Sequence, residues 1–217
     1  HVLLAHSGGV DSCVLAEILI NKNINFSVAH CNFKLRDKES DEDLKFVKNW
    51  CIENNTPFHF KVFDVKGYII VNKKSIQEAA RDLRYEWFNS LMVDLEIDIL
   101  ATAHNLNDQL ETFLINSIRG TGISGLLGIQ ETNKIIRPLN TISKKEILNY
   151  ARKNKIEWRE DSSNAKNDYF RNKIRHQVVS PIEQIKPEAL ENFKTTLKNL
   201  SQSERFIFNQ LDSLKNK

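Results

Sequence analysis

The stretch "HSGGVDS", residues 6–12, places two of the chain's seven glycines side by side and follows them with an acid and a hydroxyl. It comes directly after the apolar run "HVLLA" and leads into "VLAEILI", whose apolar residues have helical spacing. This order predicts a strand, a tight turn and a helix. The amides of such a turn and the partial positive charge of the helix start can bind an anion. A turn without a ligand is the alternative, since glycine commonly marks strand-to-helix turns.

The remaining sequence continues to alternate between strand and helix patterns. Further strands are predicted at "FSVAHC" (26–31), "FHFKVF" (58–63), "IDILATAH" (97–104) and "KIIRP" (134–138). Capping boxes at Ser75 to Glu78 and at Ser143 to Glu146 predict two helix starts. The alternation indicates an α/β fold with a doubly wound, parallel, five-stranded sheet, and such sheets bind ligands beyond the carboxyl ends of their strands. From about Lys186 the pattern is helical and polar, so we expect a catalytic domain over 1–185 and a helical linker or the start of a helical domain over 186–217.

Composition excludes some classes of protein. The chain has 217 residues, 41% of them hydrophobic, and its longest apolar runs fall far short of the roughly 20 residues that cross a bilayer. The three cysteines, Cys13, Cys31 and Cys51, form no C-x-x-C pair and are expected to be buried free thiols in a reducing cytoplasm. We therefore expect a cytoplasmic protein with no membrane association.

The charge is unevenly distributed. The net charge is +3, but residues 134–187 alone carry +7 and the rest of the chain −4. Such a block is either a solvated face or an electrostatic footprint for a polyanion. Asp11 adds a second electrostatic signal, because an acid beside a phosphate loop needs an intervening cation, for which Mg²⁺ is the usual choice.

The hexapeptide "SGGVDS" resembles the pyrophosphate-binding loop of the N-type ATP pyrophosphatases, the PP-loop superfamily, whose fold is Rossmann-like (adenine nucleotide alpha-hydrolase-like). Four later stretches are similar to motifs of one family in it, the tRNA(Ile)-lysidine synthetases. They are "HCNFKLRDKESDED", where Phe33 replaces the family's usual histidine, "QEAARDLRYEWF", "ATAHNLNDQLETFLINSIRGTGISGLLGI", and the pair "IIRPL" and "EDSSNAKNDYFRNKIRHQVVSPI". The resemblance covers nearly the whole chain.

The resemblance implies a two-step reaction with ATP and Mg²⁺ as cofactors. ATP adenylates the 2-carbonyl oxygen of the wobble cytidine in the isoleucine tRNA with a CAU anticodon, and pyrophosphate leaves. The amine of free L-lysine then displaces AMP to form lysidine, which pairs with A. The expected partners are therefore this tRNA and lysine, and a homodimer is left open.

The resemblance also assigns roles to individual residues. The catalytic set it implies is Asp11, Asp108, Arg84 and Arg81. The implied nucleotide-binding set is Ser7, Gly8, Gly9, Val10, Asp11, Ser12, His30 and His104. The implied tRNA- or substrate-binding set is Arg36, Glu111, Arg119, Arg171 and Arg175. Asp11 and Asp108 are the candidate metal ligands, and Asp108 could instead hold the lysine ammonium. The family often has two acids where this chain has Asn107 followed by Asp108.

Some of these residues also allow a purely structural interpretation. Arg81 and Arg84, three apart on one helix, could form surface ion pairs with Glu78 or Asp82. His30 and His104 could be hydrogen-bonded packing residues. Four glycines between Gly120 and Gly128 indicate close approach of backbone to a ligand or a mobile loop.

Two functional alternatives differ in class. A tRNA sulfurtransferase of the same superfamily also adenylates a base, but such enzymes usually rely on closely spaced cysteines, which this chain lacks. A non-catalytic nucleotide- or RNA-binding paralogue is the other alternative, against which the retained Asp11, Asp108 and Arg84 argue.

Overall fold

Five short strands form one parallel sheet in a computed structural model that describes residues 1–36, 38–160 and 170–215. The strands are β1 (Val2–Ala5), β2 (Phe26–Asn32), β3 (Phe58–Val62), β4 (Ile99–Thr102) and β5 (Ile135–Ile136). Their order across the sheet is β3-β2-β1-β4-β5, and every neighbouring pair is parallel. The predicted five-stranded, Rossmann-like sheet is confirmed.

Helices connect the strands and complete the chain. They are α1 (Val10–Asn21), α2 (Lys38–Glu53), α3 (Val65–Asn72), α4 (Ile76–Asp94), α5 (Leu106–Ile118), α6 (Ile123–Leu126), α7 (Lys144–Lys153), α8 (Phe170–Ile174), a π-helical turn (Arg175–Val179), α9 (Ser180–Ile185) and α10 (Ala189–Lys215). Both predicted capping boxes are present: Ser75 Oγ accepts from the Glu78 amide, and Ser143 Oγ accepts from the Glu146 amide. The long α10 confirms the predicted helical C-terminal region.

The register of the sheet explains where the glycine loop lies. Ala5, the last residue of β1, pairs with Ala29 of β2 and with Thr102 of β4. Leu3 packs against α4 through Phe88, and because side chains alternate along a strand, the equally buried Leu4 points to the opposite face. Apolar burial on both faces fixes the central strand, so the loop that follows it begins from a rigid support.

The chain forms two compact units. The first contains the whole sheet and comprises residues 1–103, 131–138 and 147–160. The second comprises residues 104–130, 139–146 and 161–217, and its core joins α5 to the helices that follow residue 170 through Leu106, Leu110, Ile174, Val179, Leu190 and Phe193. The domain boundary expected near residue 185 is not tested by this division and stays a prediction. Among the described residues, no helix combines the length and apolar character needed to span a membrane.

Candidate functional site

The glycine loop is a tight turn held together by its own side chains. Gly9 caps α1, and Ser12 Oγ donates to the Gly9 carbonyl over 2.9 Å. The Ser7 amide donates to Ser12 Oγ over 3.2 Å, and the Gly9 amide donates to Ser7 Oγ over 3.3 Å. The two serines that were expected to line an anion site thus also define the turn. Val10 and the half-buried Asp11 lie in the first turn of α1, where a helix has no internal acceptors for its amides.

Gly8 is the tightest point of this loop. Its φ is +89°, a conformation that other residues reach only with strain, and a Cβ here would lie 3.4 Å from Val47 Cγ2. Its carbonyl accepts from the Arg159 amide over 2.9 Å, and its amide donates to Nδ1 of His6 over 3.1 Å. The Gly8 and Gly9 amides, expected to face a ligand, therefore donate to His6 and Ser7 within the chain.

His30 lies behind the loop. It is 3% exposed, and its Nδ1 donates to the His6 carbonyl over 2.8 Å. Burial lowers its pKa, so the ring is neutral near pH 7. This geometry is that of the hydrogen-bonded packing residue weighed above, and the nucleotide-binding role of His30 stays a prediction.

A buried carboxylate that sequence reasoning missed braces the same unit. Asp43 Oδ2 accepts from Nη2 of Arg36 over 2.7 Å, and Asp43 Oδ1 accepts from Nε of Arg159 over 2.8 Å. The Asp43 side chain is only 10% exposed, so the two guanidinium groups neutralise it where water cannot. Asp43 lies in the stretch "HCNFKLRDKESDED" but is not among the residues to which the resemblance assigns a role. Arg36, predicted to bind substrate, is held by Asp43 in this structure.

The two arginines of α4 have distinct surroundings. The Arg84 guanidinium lies 5.3 Å from the centroid of Phe33, and that of Arg81 lies 5.1 Å from the centroid of Tyr85. Arg84 also hydrogen-bonds Cys31, whose thiol has its pKa raised to about 12 by burial.

Among the described residues, Arg81 and Arg84 do not form the surface ion pairs with Glu78 or Asp82 that were considered above. Glu78 accepts from Ser75 in the capping box, and Asp82 pairs with Lys74. Phe33, which replaces a family histidine, therefore gives Arg84 an aromatic platform at the half-buried side of α4.

The start of α5 carries the second set of candidate residues. Asn105 and Asp108 form a capping box in which Asp108 Oδ2 accepts from the Asn105 amide and Asn105 Oδ1 accepts from the Asp108 amide, each over 3.0 Å. The other oxygen of Asp108, Oδ1, lies 3.4 Å from Nη2 of Arg171 and 3.5 Å from Nη2 of Arg175. His104 is half-buried in the connection between β4 and α5.

Glu111 is the centre of this set. Its side chain is 1% exposed, and it accepts from Nε of Arg175 over 2.6 Å and from Nε of Arg171 over 2.7 Å. The two arginines, predicted to bind tRNA or substrate, thus contact Glu111 and Asp108. We call these four residues the α5 charge cluster. It balances two carboxylates with two guanidinium groups, and its arginines remain 34% and 31% exposed.

The residue before Asp108 explains why the chain has an amide there. Asn107 Nδ2 donates to both carboxylate oxygens of Glu183, over 3.2 and 3.3 Å, while its Oδ1 accepts from the Lys144 amide over 2.9 Å. An aspartate could not donate to Glu183, so Asn107 fits a structural role.

Asp108 does not fit as a metal ligand. One of its oxygens caps α5 and the other lies near two guanidinium groups, so coordination of a metal ion at either oxygen would break existing contacts. No grouping of three or more His, Cys, Asp or Glu suited to a metal ion occurs in residues 1–36, 38–160 and 170–215. Of the two candidate metal ligands, Asp11 remains as the carboxylate that could bind a Mg²⁺ ion carried by phosphate.

The glycine-rich segment after α5 is anchored by that helix. The Gln109 side chain is 5% exposed, donates from Nε2 to the Ile129 carbonyl and accepts at Oε1 from the Ile129 amide, both over 2.8 Å. Gly128 has φ +71°, and a Cβ there would collide with Gln109 Oε1. Arg119 is exposed at the end of α5, where the segment begins. Residues 161–169 of the stretch "EDSSNAKNDYFRNKIRHQVVSPI" lie outside the described residues.

Comparison with known proteins gives a family. The model of the PP-loop domain family matches residues 1–182. The chain is 41% identical over 201 residues to tRNA(Ile)-lysidine synthase of Porphyromonas gingivalis strain W83, covering 92% of this chain and 44% of that protein. It is 42% identical to the Chlorobaculum tepidum protein of the same name, covering 84% and 57%, and 36% identical to that of Bacillus subtilis, covering 95% and 45%. The chain spans about half the length of the curated relatives it matches.

Solved structures share the fold at lower identity. The U34-tRNA thiolase NcsA from Methanococcus maripaludis superposes with a TM-score of 0.75 at 22% identity, covering 92% of this chain and 70% of that one. The NH3-dependent NAD synthetase from Campylobacter jejuni superposes with a TM-score of 0.54 at 17% identity, covering 94% and 85%. These likenesses concern the fold alone. With the family model matching most of its length, the chain belongs to the PP-loop domain family.

Proposed function

We propose that this chain is the catalytic part of a cytoplasmic tRNA(Ile)-lysidine synthase. In this reaction ATP adenylates the 2-carbonyl oxygen of the wobble cytidine in the CAU-anticodon isoleucine tRNA, and the lysine side-chain amine then displaces AMP. The observation that carries the proposal is the similarity to proteins of that name over 92% of the chain. The glycine loop at the start of a twelve-residue helix supports it, because this is the local structure that binds phosphate.

We assign ATP binding to the loop of Ser7 to Ser12. The Ser7 hydroxyl and the first-turn amides of α1 offer hydrogen-bond donors, while the internal bonds of Gly8, Gly9 and Ser12 fix the turn that presents them. Fixed donors of this kind stabilise charge that develops on leaving pyrophosphate without reorganising during the reaction. When bound, Mg²⁺ supplies neutralisation of phosphate charge, and Asp11 is the residue we assign to it.

We assign charge stabilisation at the adenylated base to Arg84 rather than Arg81. Arg84 is half-buried and is held by both Phe33 and Cys31, whereas Arg81 is exposed. A guanidinium that is held in place loses less side-chain entropy when it meets a phosphate.

We assign lysine recognition to Asp108 within the α5 charge cluster. Its Oδ1 makes only the long contacts of 3.4 and 3.5 Å to the arginines, so an ammonium can compete for this oxygen. Glu111, in contrast, is held by short bonds to both arginines, and we assign it to positioning them. Arg171 and Arg175 keep about a third of their side chains exposed, and we assign these exposed guanidinium groups to tRNA phosphate or the lysine carboxylate.

The sulfurtransferase alternative finds little support in the cysteines. Cys13, Cys31 and Cys51 are all free thiols, and burial raises the pKa of each to about 12. A thiol with so high a pKa is a poor nucleophile for persulfide chemistry. The likeness to the thiolase NcsA is one of fold.

The adenylation half of the reaction offers the first test. The chain is mixed with MgATP and the CAU-anticodon tRNA transcript, with and without lysine, and pyrophosphate release is measured. We expect release that requires the tRNA, and we expect Ser12→Ala to reduce it while the matched substitution Ser90→Ala, at an exposed position of α4, does not. Release that is independent of the anticodon sequence would argue for a different substrate.

A further inference from the structure

His6, which stands between β1 and the glycine loop, has both of its main-chain groups fixed. Its amide donates to the Ala29 carbonyl over 3.0 Å, and its own carbonyl accepts from His30 Nδ1 over 2.8 Å. The imidazole is 2% exposed and packs beside Trp50, with ring centroids 5.4 Å apart. The ring is therefore held in a single place at the foot of the loop.

The hydrogen bonds of the ring define its protonation state. Nδ1 accepts from the Gly8 amide over 3.1 Å and lies 3.3 Å from Ser12 Oγ. Because a backbone amide can only donate, Nδ1 carries the lone pair, and the neutral ring must carry its proton on Nε2. Nε2 is buried and has no hydrogen-bond partner in the part of the chain that the structure describes. Burial lowers the pKa of His6 to about 3, in agreement with a neutral ring.

The position of Nδ1 matters because it holds Gly8 in a positive-φ conformation that other residues reach only with strain. With φ at +89°, this residue places its amide toward His6 and its carbonyl toward the Arg159 amide. Other bonds of the turn run among Ser7, Gly9 and Ser12, and Cys13 Sγ donates to the Gly8 carbonyl over 3.3 Å. The His6 ring therefore accepts a hydrogen bond from the Gly8 amide of the loop, and it also lies near Ser12 at the other end of the turn.

We propose that His6 is a positioning residue for the phosphate loop, with Nδ1 holding the Gly8 amide in the arrangement that receives ATP. The proposal rests on the assignment of ATP binding to this loop. Without the acceptor at Nδ1, the Gly8 amide loses its hydrogen-bond partner and the turn can rearrange. A hydrogen-bond acceptor at another position of the residue 6 side chain cannot replace Nδ1 as the partner of the Gly8 amide.

Two substitutions separate the position of the acceptor from the mere presence of a polar group. In His6→Asn the side-chain oxygen can occupy nearly the place of Nδ1, whereas in His6→Gln it extends to the place of Nε2. Both variants are compared with the wild-type 217-residue chain in two measurements. The first is the dissociation constant of MgATP by equilibrium dialysis. The second is the hydrogen exchange rate of the Gly8 amide by NMR, which reports the loop directly.

We expect His6→Asn to keep MgATP binding and Gly8 protection near wild type, and His6→Gln to weaken binding and speed Gly8 exchange by roughly tenfold each, the effect of losing one buried hydrogen bond. Equal behaviour of the two variants in Gly8 exchange would overturn the proposal. If the wild-type chain binds no MgATP, the ATP assignment fails, and Gly8 exchange still decides whether Nδ1 holds the loop. Thermal unfolding of each variant identifies any general loss of fold.

Discussion

Nε of Arg175 lies 2.6 Å from Oε1 of Glu111, a carboxylate whose side chain is 1% exposed and which also accepts from Arg171. The pair joins α5 to the π-helical turn across 64 positions of sequence. The segment of Arg171 and Arg175, which are predicted to bind tRNA or substrate, is therefore tied to the helix that carries Asp108. This relationship makes the stability of the second unit and the placement of its arginines depend on one buried acid.

Removing the charge of Glu111 is expected to destabilise the protein. Glu111→Gln should lower the free energy of unfolding by about 2 kcal/mol, less than the ~3–5 kcal/mol of a fully buried pair because both arginines are partly solvated. Urea unfolding measures the change, with Glu188→Gln, an exposed position of the same unit, as the control. If the urea midpoint of Glu111→Gln equals that of the wild type, the ion pairs of Glu111 with the two arginines do not contribute to stability.

A side chain at Gly8 is expected to strain the loop. Gly8→Ala should cost about 1–2 kcal/mol of stability through its positive φ and should weaken MgATP binding. Gly122→Ala is the matched control, since Gly122 has no positive φ and a Cβ there would meet nothing within 4 Å. Thermal unfolding and equilibrium dialysis of both variants check the prediction. Equal effects of the two substitutions would contradict it.

The buried His6 is expected to make the fold sensitive to acid. Its pKa falls from 6.5 to about 3 on folding, so the unfolded chain binds more protons between these values and stability decreases as the pH drops below 6.5. Between pH 7 and pH 5, the titration of His6 alone should lower the free energy of unfolding by about 2 kcal/mol. The pKa of His30 is also lowered by burial, so His30 changes the stability in the same direction. Urea unfolding at both pH values tests this. His6→Asn should have a smaller loss, and an equal loss would assign the effect to other groups.

Much of the fold could be predicted because its signals are local. The apolar run before the glycines, the capping boxes of Ser75 and Ser143, and the alternation of strands and helices all lie within a few residues of the elements they specify. The run "YIIV" (68–71), of strand length, lies instead within α3, since a short apolar run alone does not distinguish strand from helix.

The partners of the candidate residues could not be predicted in the same way. Arg171, Arg175 and Glu111 were each candidate residues, but their mutual contacts join positions 60 and 64 apart in sequence. The bonds of Asp43 to Arg159 and of Asn107 to Glu183 span 116 and 76 positions. Such pairs depend on how elements pack, which a single sequence does not show. The role proposed for His6 could not be predicted from the sequence for another reason, because it depends on the orientation of the imidazole ring.

The cysteines are expected to be inert in the native protein. With pKa values raised to about 12, roughly one thiol in 10⁴ is ionised at pH 8, so alkylation by iodoacetamide should be far slower than in urea. Mass spectrometry of timed samples measures the rates for each cysteine. Rapid native labelling of Cys31, the partner of Arg84, would revive the sulfurtransferase alternative.

The most direct test of the central claim is transfer of lysine to RNA. The chain is incubated with MgATP, radiolabelled lysine and the CAU-anticodon isoleucine tRNA transcript, and the label is located by nuclease digestion and mass spectrometry. The account predicts label at the wobble cytidine, its loss in Asp108→Asn, and its retention in the exposed control Asp98→Asn, with both variants folded. Absence of label with the wild-type chain, while ATP is consumed in the presence of this tRNA and a sulfur donor, would contradict it.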